Sequence, residues 1–208
     1  MVRVAVGMGA DVNRRLQEAW PLMTYCAGGG CLEAVKACLA AGAQVDAAIG
    51  DDDREWWTAV VHAGREGHEA VVEALLEAGA SAKVGCDGRD QTMVAMCDGL
   101  PTPGIVRRLA EAEADVTALG SGGWTAIHLA AYRGNLAAME ALVDLGANMI
   151  AVNRRTAMHF AANGEAVRWL MACGVSIQGD GDNSFPLLTA CANGQIRVAR
   201  SSSMPGAS

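Results

Sequence analysis

The sequence predicts an all-α solenoid, a stack of short helix-turn-helix units, on three observations. A Gly-Ala pair closes an apolar helical segment at Gly9-Ala10, Gly42-Ala43, Gly79-Ala80 and Gly146-Ala147, with degenerate copies at Glu113-Ala114 and Gly174-Val175. Successive copies lie 33, 37, 34, 33 and 28 residues apart, a spacing typical of repeat arrays. A second landmark keeps the same register: Thr58, Thr92 and Thr125 each stand 21 residues before a closing residue. Composition agrees, since 51% of the 208 residues are hydrophobic, only 4% are aromatic and 25 are Gly, a mix suited to closely packed short helices and tight turns.

Each unit can be built from its own residues. A T-x-x-H-x-A-A segment makes a first helix, with Thr expected to cap its N-terminus and the small Ala pair letting neighbouring helices approach. The next Gly, such as Gly67 or Gly134, supplies a left-handed exit. Val71, Val72, Leu75 and Leu76 then recur as one apolar face of a second helix, which the closing Gly ends. One such unit cannot bury its apolar face alone, so the core comes from stacking.

The best copy runs W-T-A-I-H-L-A-A-Y-R-G-N-L from Trp124 to Leu136, and Thr156-Ala157-Met158-His159-Phe160-Ala161-Ala162 repeats it. The copy at Thr58 keeps Gly67-His68 and V-V-x-x-L-L-x-x-G-A; Phe185-Pro186-Leu187-Leu188 opens a further copy, and Gly9 to Asn13 closes an earlier one. These segments resemble the ankyrin repeat signature T-P-L-H-x-A-A-x-x-G-H, with Ala126 in place of Pro, and the resemblance covers residues 1–200. It implies an ankyrin array with a partial repeat at 1–13, repeats at about 18–46, 55–83, 89–117, 122–150, 153–177 and 182–200, and a disordered tail at 201–208. It also implies that polar stretches such as Asp115 to Gly123 form β-hairpin fingers.

Three departures stand out. The segment D-D-D-R-E-W-W at Asp51 to Trp57 adds about four residues where a finger tip belongs, and its charge and paired Trp match the composition of binding hot spots. The repeat from Thr92 is eroded: Cys97-Asp98 replaces the Ala pair, Leu100-Pro101-Thr102-Pro103-Gly104 replaces the inter-helix turn, and Glu113 replaces the closing Gly. It should be looser, as a hinge or by drift. The repeat from Thr156 is about three residues short, which should tighten its turn.

Several chemistries are excluded. A formal charge of −7, from 16 Lys and Arg against 23 Asp and Glu, gives no basic cluster for nucleic acid. No stretch reaches the roughly 18 apolar residues of a membrane span. Seven Cys without C-x-x-C pairs fit neither a disulfide framework nor a zinc site and read as small reduced core residues. His68-Glu69 begins H-E-x-x-H, but Val72 stands where the second His belongs. Gly120-Ser121-Gly122-Gly123 lacks the Lys-Ser/Thr of a phosphate loop, and Asp180-Gly181-Asp182-Asn183 lacks the rest of a calcium loop. His128 and His159 recur with the repeat, as structural residues do. No catalytic residue, cofactor or metal ligand is expected.

The resemblance implies a protein-binding groove on the finger tips and first helices. Its candidate residues are Asp52, Arg54, Trp56, Trp57, Arg65, Glu66, Arg89, Trp124, Tyr132, Arg133 and Arg155, with His62, Gln91, Met96, Leu129, Phe160 and Asn163 alongside. Trp124 and Phe160 are equally suited to packing between repeats. The expected function is an intracellular scaffold or adaptor, cytoplasmic or nuclear, binding a partner protein as a monomer. The alternative is the targeting arm of a larger enzyme, ligase or channel, since the array opens inside a repeat.

Overall fold

A computed structural model describes residues 11–13, 20–48, 57–85, 92–120, 123–149 and 156–176. The expected first half-repeat helix, the loop tip at 51–56, the repeat at 182–200, the Asp180 to Asn183 segment and the tail lie outside the described residues. The described chain forms α1 (Leu22–Gly28), α2 (Leu32–Ala40), α3 (Ala59–Arg65), α4 (Glu69–Glu77), α5 (Thr92–Cys97), α6 (Pro103–Glu111), α7 (Ala126–Arg133), α8 (Leu136–Asp144), a 3-10 turn (Ala157–Phe160) and α9 (Gly164–Ala172). Two layers result: α1, α3, α5, α7 and the 3-10 turn stack in one, while α2, α4, α6 and α8 stack in the other.

The apolar periodicity fixes which faces meet. Val71, Val72 and Leu75 of α4, Ile105, Val106 and Leu109 of α6, and Met139 and Leu142 of α8 are fully buried between layers, each large side chain contributing about 1.5–3 kcal/mol relative to exposure. In the first layer Ala63 and Gly64, and Ala130 and Ala131, hold the helices close. A Cβ on Gly64 would overlap the thioether of Met96 in the next helix.

The turns follow the glycines. Gly67 and Gly134 leave the first helix at φ 79° and 69°, and Gly42, Gly79, Gly146 and Gly174 close the second helix with φ between 80° and 89°. Glu113 adopts the same left-handed conformation at φ 65° in place of Gly, the one non-Gly residue among those described to do so.

Some expectations need correction. Threonine does not cap the first helices of the repeats from Thr58 and Thr125. The Thr125 hydroxyl instead bonds Nδ1 of His128 at 2.7 Å; at Thr156 a reciprocal capping box forms, in which the Thr156 backbone N–H donates to Nδ1 of His159 at 3.0 Å and the Thr156 side chain accepts from the His159 backbone. The repeat from Thr58 carries Val61 at that place, and the Thr58 hydroxyl finds no partner among the described residues. The finger tips at 49–56, 86–91, 121–122 and 150–155 lie outside the described residues, and the bases of two fingers carry backbone bonds, from Gly120 N–H to Trp124 O at 2.7 Å and from Ala157 N–H to Met149 O at 2.9 Å. The three missing residues after Thr156 shorten the first helix to a 3-10 turn as well as tightening the turn that follows. Cys26, Cys38 and Cys97 are buried thiols, but Cys31 and Cys173, at the ends of α2 and α9, are exposed.

The eroded middle repeat is loose inside and tied outside. Helices α5 and α6 meet each other less than they meet flanking repeats. Yet α6 starts firmly: Thr102 accepts from the Ile105 N–H at 3.2 Å, with Pro103 opening the helix. Its hydroxyl donates to Glu69 at 2.6 Å, the Leu100 N–H donates to Arg65 O at 2.9 Å, and Asn135 Nδ2 donates to Pro101 O at 2.9 Å.

Leu109→Ala should therefore cost about 2–5 kcal/mol by chemical denaturation, because rigid helices on both sides cannot close the cavity. Glu113→Gly should raise the melting temperature by about 2–4 °C by removing the Cβ strain of a left-handed residue; a lowered value would show that the Lys83–Glu113 contact at 2.8 Å outweighs that strain.

Candidate partner-binding face

The residue just before the N-cap of the first helix is Trp in three repeats, at Trp20, Trp57 and Trp124. That register places the three indoles at equivalent points of the first layer. Trp20 and Trp57 flank His62, with ring centroids 4.0 and 4.9 Å from it, and the Arg65 guanidinium lies 4.4 Å above Trp57. Trp20 is 41% exposed, whereas His62 is only 6% exposed.

The setting of His62 favours its neutral form. Burial, reinforced by the neighbouring Arg65 charge, pushes its pKa below the ordinary imidazole range, with Glu66 opposing. Its Nε2 finds no hydrogen-bond partner among the described residues.

A second aromatic group lies two repeats away. Trp124 sits 4.1 Å from Phe160 and 6.0 Å from Tyr132, and the Arg133 guanidinium is 5.8 Å from the Tyr132 centroid. Phe160 is buried, and its edge meets His128 at 5.7 Å. Between the two groups stands Asp98, which pairs with Arg65 at 3.2 Å and with Arg133 at 2.8 Å. Aromatic rings and paired guanidiniums thus form one continuous row across α3, α5 and α7.

Of the expected site residues, Trp57, Arg65, Trp124, Tyr132 and Arg133 share this row, and Glu66 is exposed at its margin. Asp52, Arg54, Trp56, Arg89, Gln91 and Arg155 lie outside the described residues. Met96, His62 and Phe160 are buried and belong to the packing instead, because each projects against an adjacent repeat. Leu129 is half-buried, and Asn163 caps α9 by accepting from the Ala166 N–H at 2.8 Å. Sequence reasoning missed Trp20, whose register matches Trp57 and Trp124, and Asp98, which stands about one repeat from both Arg65 and Arg133. Tyr25, 72% exposed on α1, was also missed.

On the second-helix layer, an open recess of about 270 Å³ is lined by Glu73, Leu76, Glu77, Arg108, Glu111 and Ala112. Arg108 is already paired there with Glu73 and, at 3.4 Å, with Glu111. Burial pushes the Cys38 and Cys97 thiols up to about 11 and about 12, so both stay protonated and unreactive. Among the described residues no cluster of three His, Cys, Asp or Glu could hold a metal, and no helix is long and apolar enough to cross a membrane.

A family model described as ankyrin repeats, in three copies, matches residues 92–180. The crystal structure of the human ASB11 ankyrin repeat domain is similar, with a TM-score of 0.70 and 23% sequence identity over 86% of this chain and 80% of that one. No curated protein matches the chain.

The buried imidazole gives a pH test. Its pKa is depressed in the fold and returns to about 6.5 on unfolding, so protons bind the unfolded chain preferentially and stability present above pH 6.5 is lost as pH falls below it. His62→Gln should flatten the decline in melting temperature between about pH 7 and pH 5; an unchanged slope would assign that decline to other groups.

Proposed function

We propose, from the ankyrin repeat model that matches residues 92–180 and from the fold shared with an ankyrin repeat domain, that the chain is an intracellular scaffold or adaptor that binds a partner protein on its finger and first-helix face. Ankyrin repeats are generally protein-protein interaction modules and typically non-catalytic. The observation that carries the reading is the row from Trp57 and Arg65 through Asp98 to Arg133 and Tyr132. Trp, Tyr and Arg dominate binding hot spots because they combine large apolar area, low entropy loss and directed hydrogen bonding. Tyr132, 46% exposed, offers that area to a partner.

The opposite layer presents charges without aromatic rings beside them: Arg108 pairs with Glu73 and Arg107 with Asp144. The formal charge of −7 favours a protein partner over a nucleic acid. In this reading the chain acts as a monomer, using the seven-part repeat division set out above, with the Asp51 to Trp57 loop extending the face.

The test is affinity capture from a cell lysate with two variants of the full chain. Trp57→Ala/Tyr132→Ala/Arg133→Ala should lower partner recovery at least tenfold, a typical hot-spot loss, while Glu77→Ala/Arg107→Ala on the opposite layer should leave it unchanged. The reverse pattern would move the site to the second-helix layer.

A further inference from the structure

We infer that the face takes an extended segment of its partner bearing an apolar side chain at each end, about six residues apart, with a carboxylate between them. The inference rests on the partner-binding reading and specifies what that partner presents.

The spacing comes from the stack. Trp57 and Trp124 occupy the same register two repeats apart. Helices packed at about 8–10 Å put two repeats at roughly 20 Å, which an extended chain rising about 3.3 Å per residue covers in about six residues. Each end has a partly exposed indole, Trp57 beside the Arg65 guanidinium and Trp124 beside the exposed Tyr132, which offers contact area to one apolar side chain.

The charge comes from the middle. Arg65 and Arg133 converge on the single carboxylate of Asp98, each using one terminal nitrogen. A guanidinium has five N–H donors, so most of their capacity is left over. Arg65 lies over the face of Trp57, and Arg133 lies near that of Tyr132, an arrangement that leaves edge N–H groups free for a second, bidentate carboxylate. Among the described residues no other carboxylate lies within ion-pair distance of either guanidinium, the exposed Glu66 included. The chain as a whole is acidic, so selection of an acid at this one point of the segment rests on the spare N–H groups of these two guanidiniums.

The test pans random dodecapeptides on phage against the whole chain. Enriched clones are expected to share two aromatic or large aliphatic residues about six positions apart with Asp or Glu between. A synthetic consensus peptide, followed by fluorescence anisotropy, should bind at least tenfold more weakly to Trp57→Ala and to Trp124→Ala. Arg133→Gln should weaken that peptide but leave unchanged the binding of a version whose acid is replaced by its amide. If Trp124→Ala lowers the melting temperature, Trp124→Leu replaces it in the comparison. Enrichment of Lys or Arg at the middle, of apolar pairs with no acid, or of nothing, would overturn the inference. Clones of another composition that still depend on Trp57 and Trp124 would remove the proposed chemistry and keep the face. Clones indifferent to both Trp residues would remove the face itself.

Discussion

The whole stack depends on how little side chain stands where one first helix meets the next. Ala27, Gly64 and Ala131 occupy equivalent inward places and are buried, and a Cβ on Gly64 would already run into Met96. Close packing of this kind tolerates no added volume without displacement. It also dictates the outside of the helix. With the inward row limited to small residues, the bulk of each first helix is carried on the remaining faces, where Arg65 and Tyr132 occupy equivalent places. Core geometry and the candidate binding face are therefore two sides of one short helix.

Apolar contact alone would let the units slide, and polar side chains fix their register. Residues opening the second helices reach back one repeat: His68 meets Gly28 O at 3.0 Å, Asn135 meets Pro101 O at 2.9 Å and Asn163 meets Gly134 O at 3.4 Å. At the far side Asn13 accepts from the Gln44 N–H at 2.8 Å and Asp46 from the Ser81 N–H at 2.9 Å. Each bond is modest in net free energy, about 0.5–1.5 kcal/mol, but each is directional. Together they hold equivalent residues in line, so that side chains a repeat apart, such as Arg65, Asp98 and Arg133, can meet.

Much of this was legible because repetition turns one ambiguous signal into several aligned ones. The left-handed exits at Gly67 and Gly134 and the burial of Val71, Val72 and Leu75 follow from residue type and period. What escaped was decided by contacts between repeats. Threonine was expected to cap, and at Thr125 its hydroxyl is instead engaged by the ring of His128, while at Thr156 the Thr and His159 cap reciprocally. Phe160 and Met96 carry no mark separating a surface residue from one packed on the next repeat; the neighbour's shape decides, through Trp124 in one case and Gly64 in the other. The site was half legible, since Trp and Arg announce themselves by type, whereas Asp98 looked only like the loss of an alanine.

That loss is the last point at which stability and function separate. In the flanking repeats the place of Asp98 is held by Gly64 and Ala131, both buried. Helix α5 ends at Cys97, and the Asp98 side chain is 38% exposed, between two guanidiniums. Ion pairs this open to water contribute about 0–1 kcal/mol each and are screened by salt, which is of the same order as the roughly 0.8 kcal/mol of one buried methyl group. The exchange is therefore close to neutral for stability. Its effect is on position: the Asp98 carboxylate in the middle repeat holds one guanidinium from each side, beside aromatic rings of the flanking repeats, and links two separate aromatic groups. The repeat that looks most decayed in the sequence is the one that joins the face together.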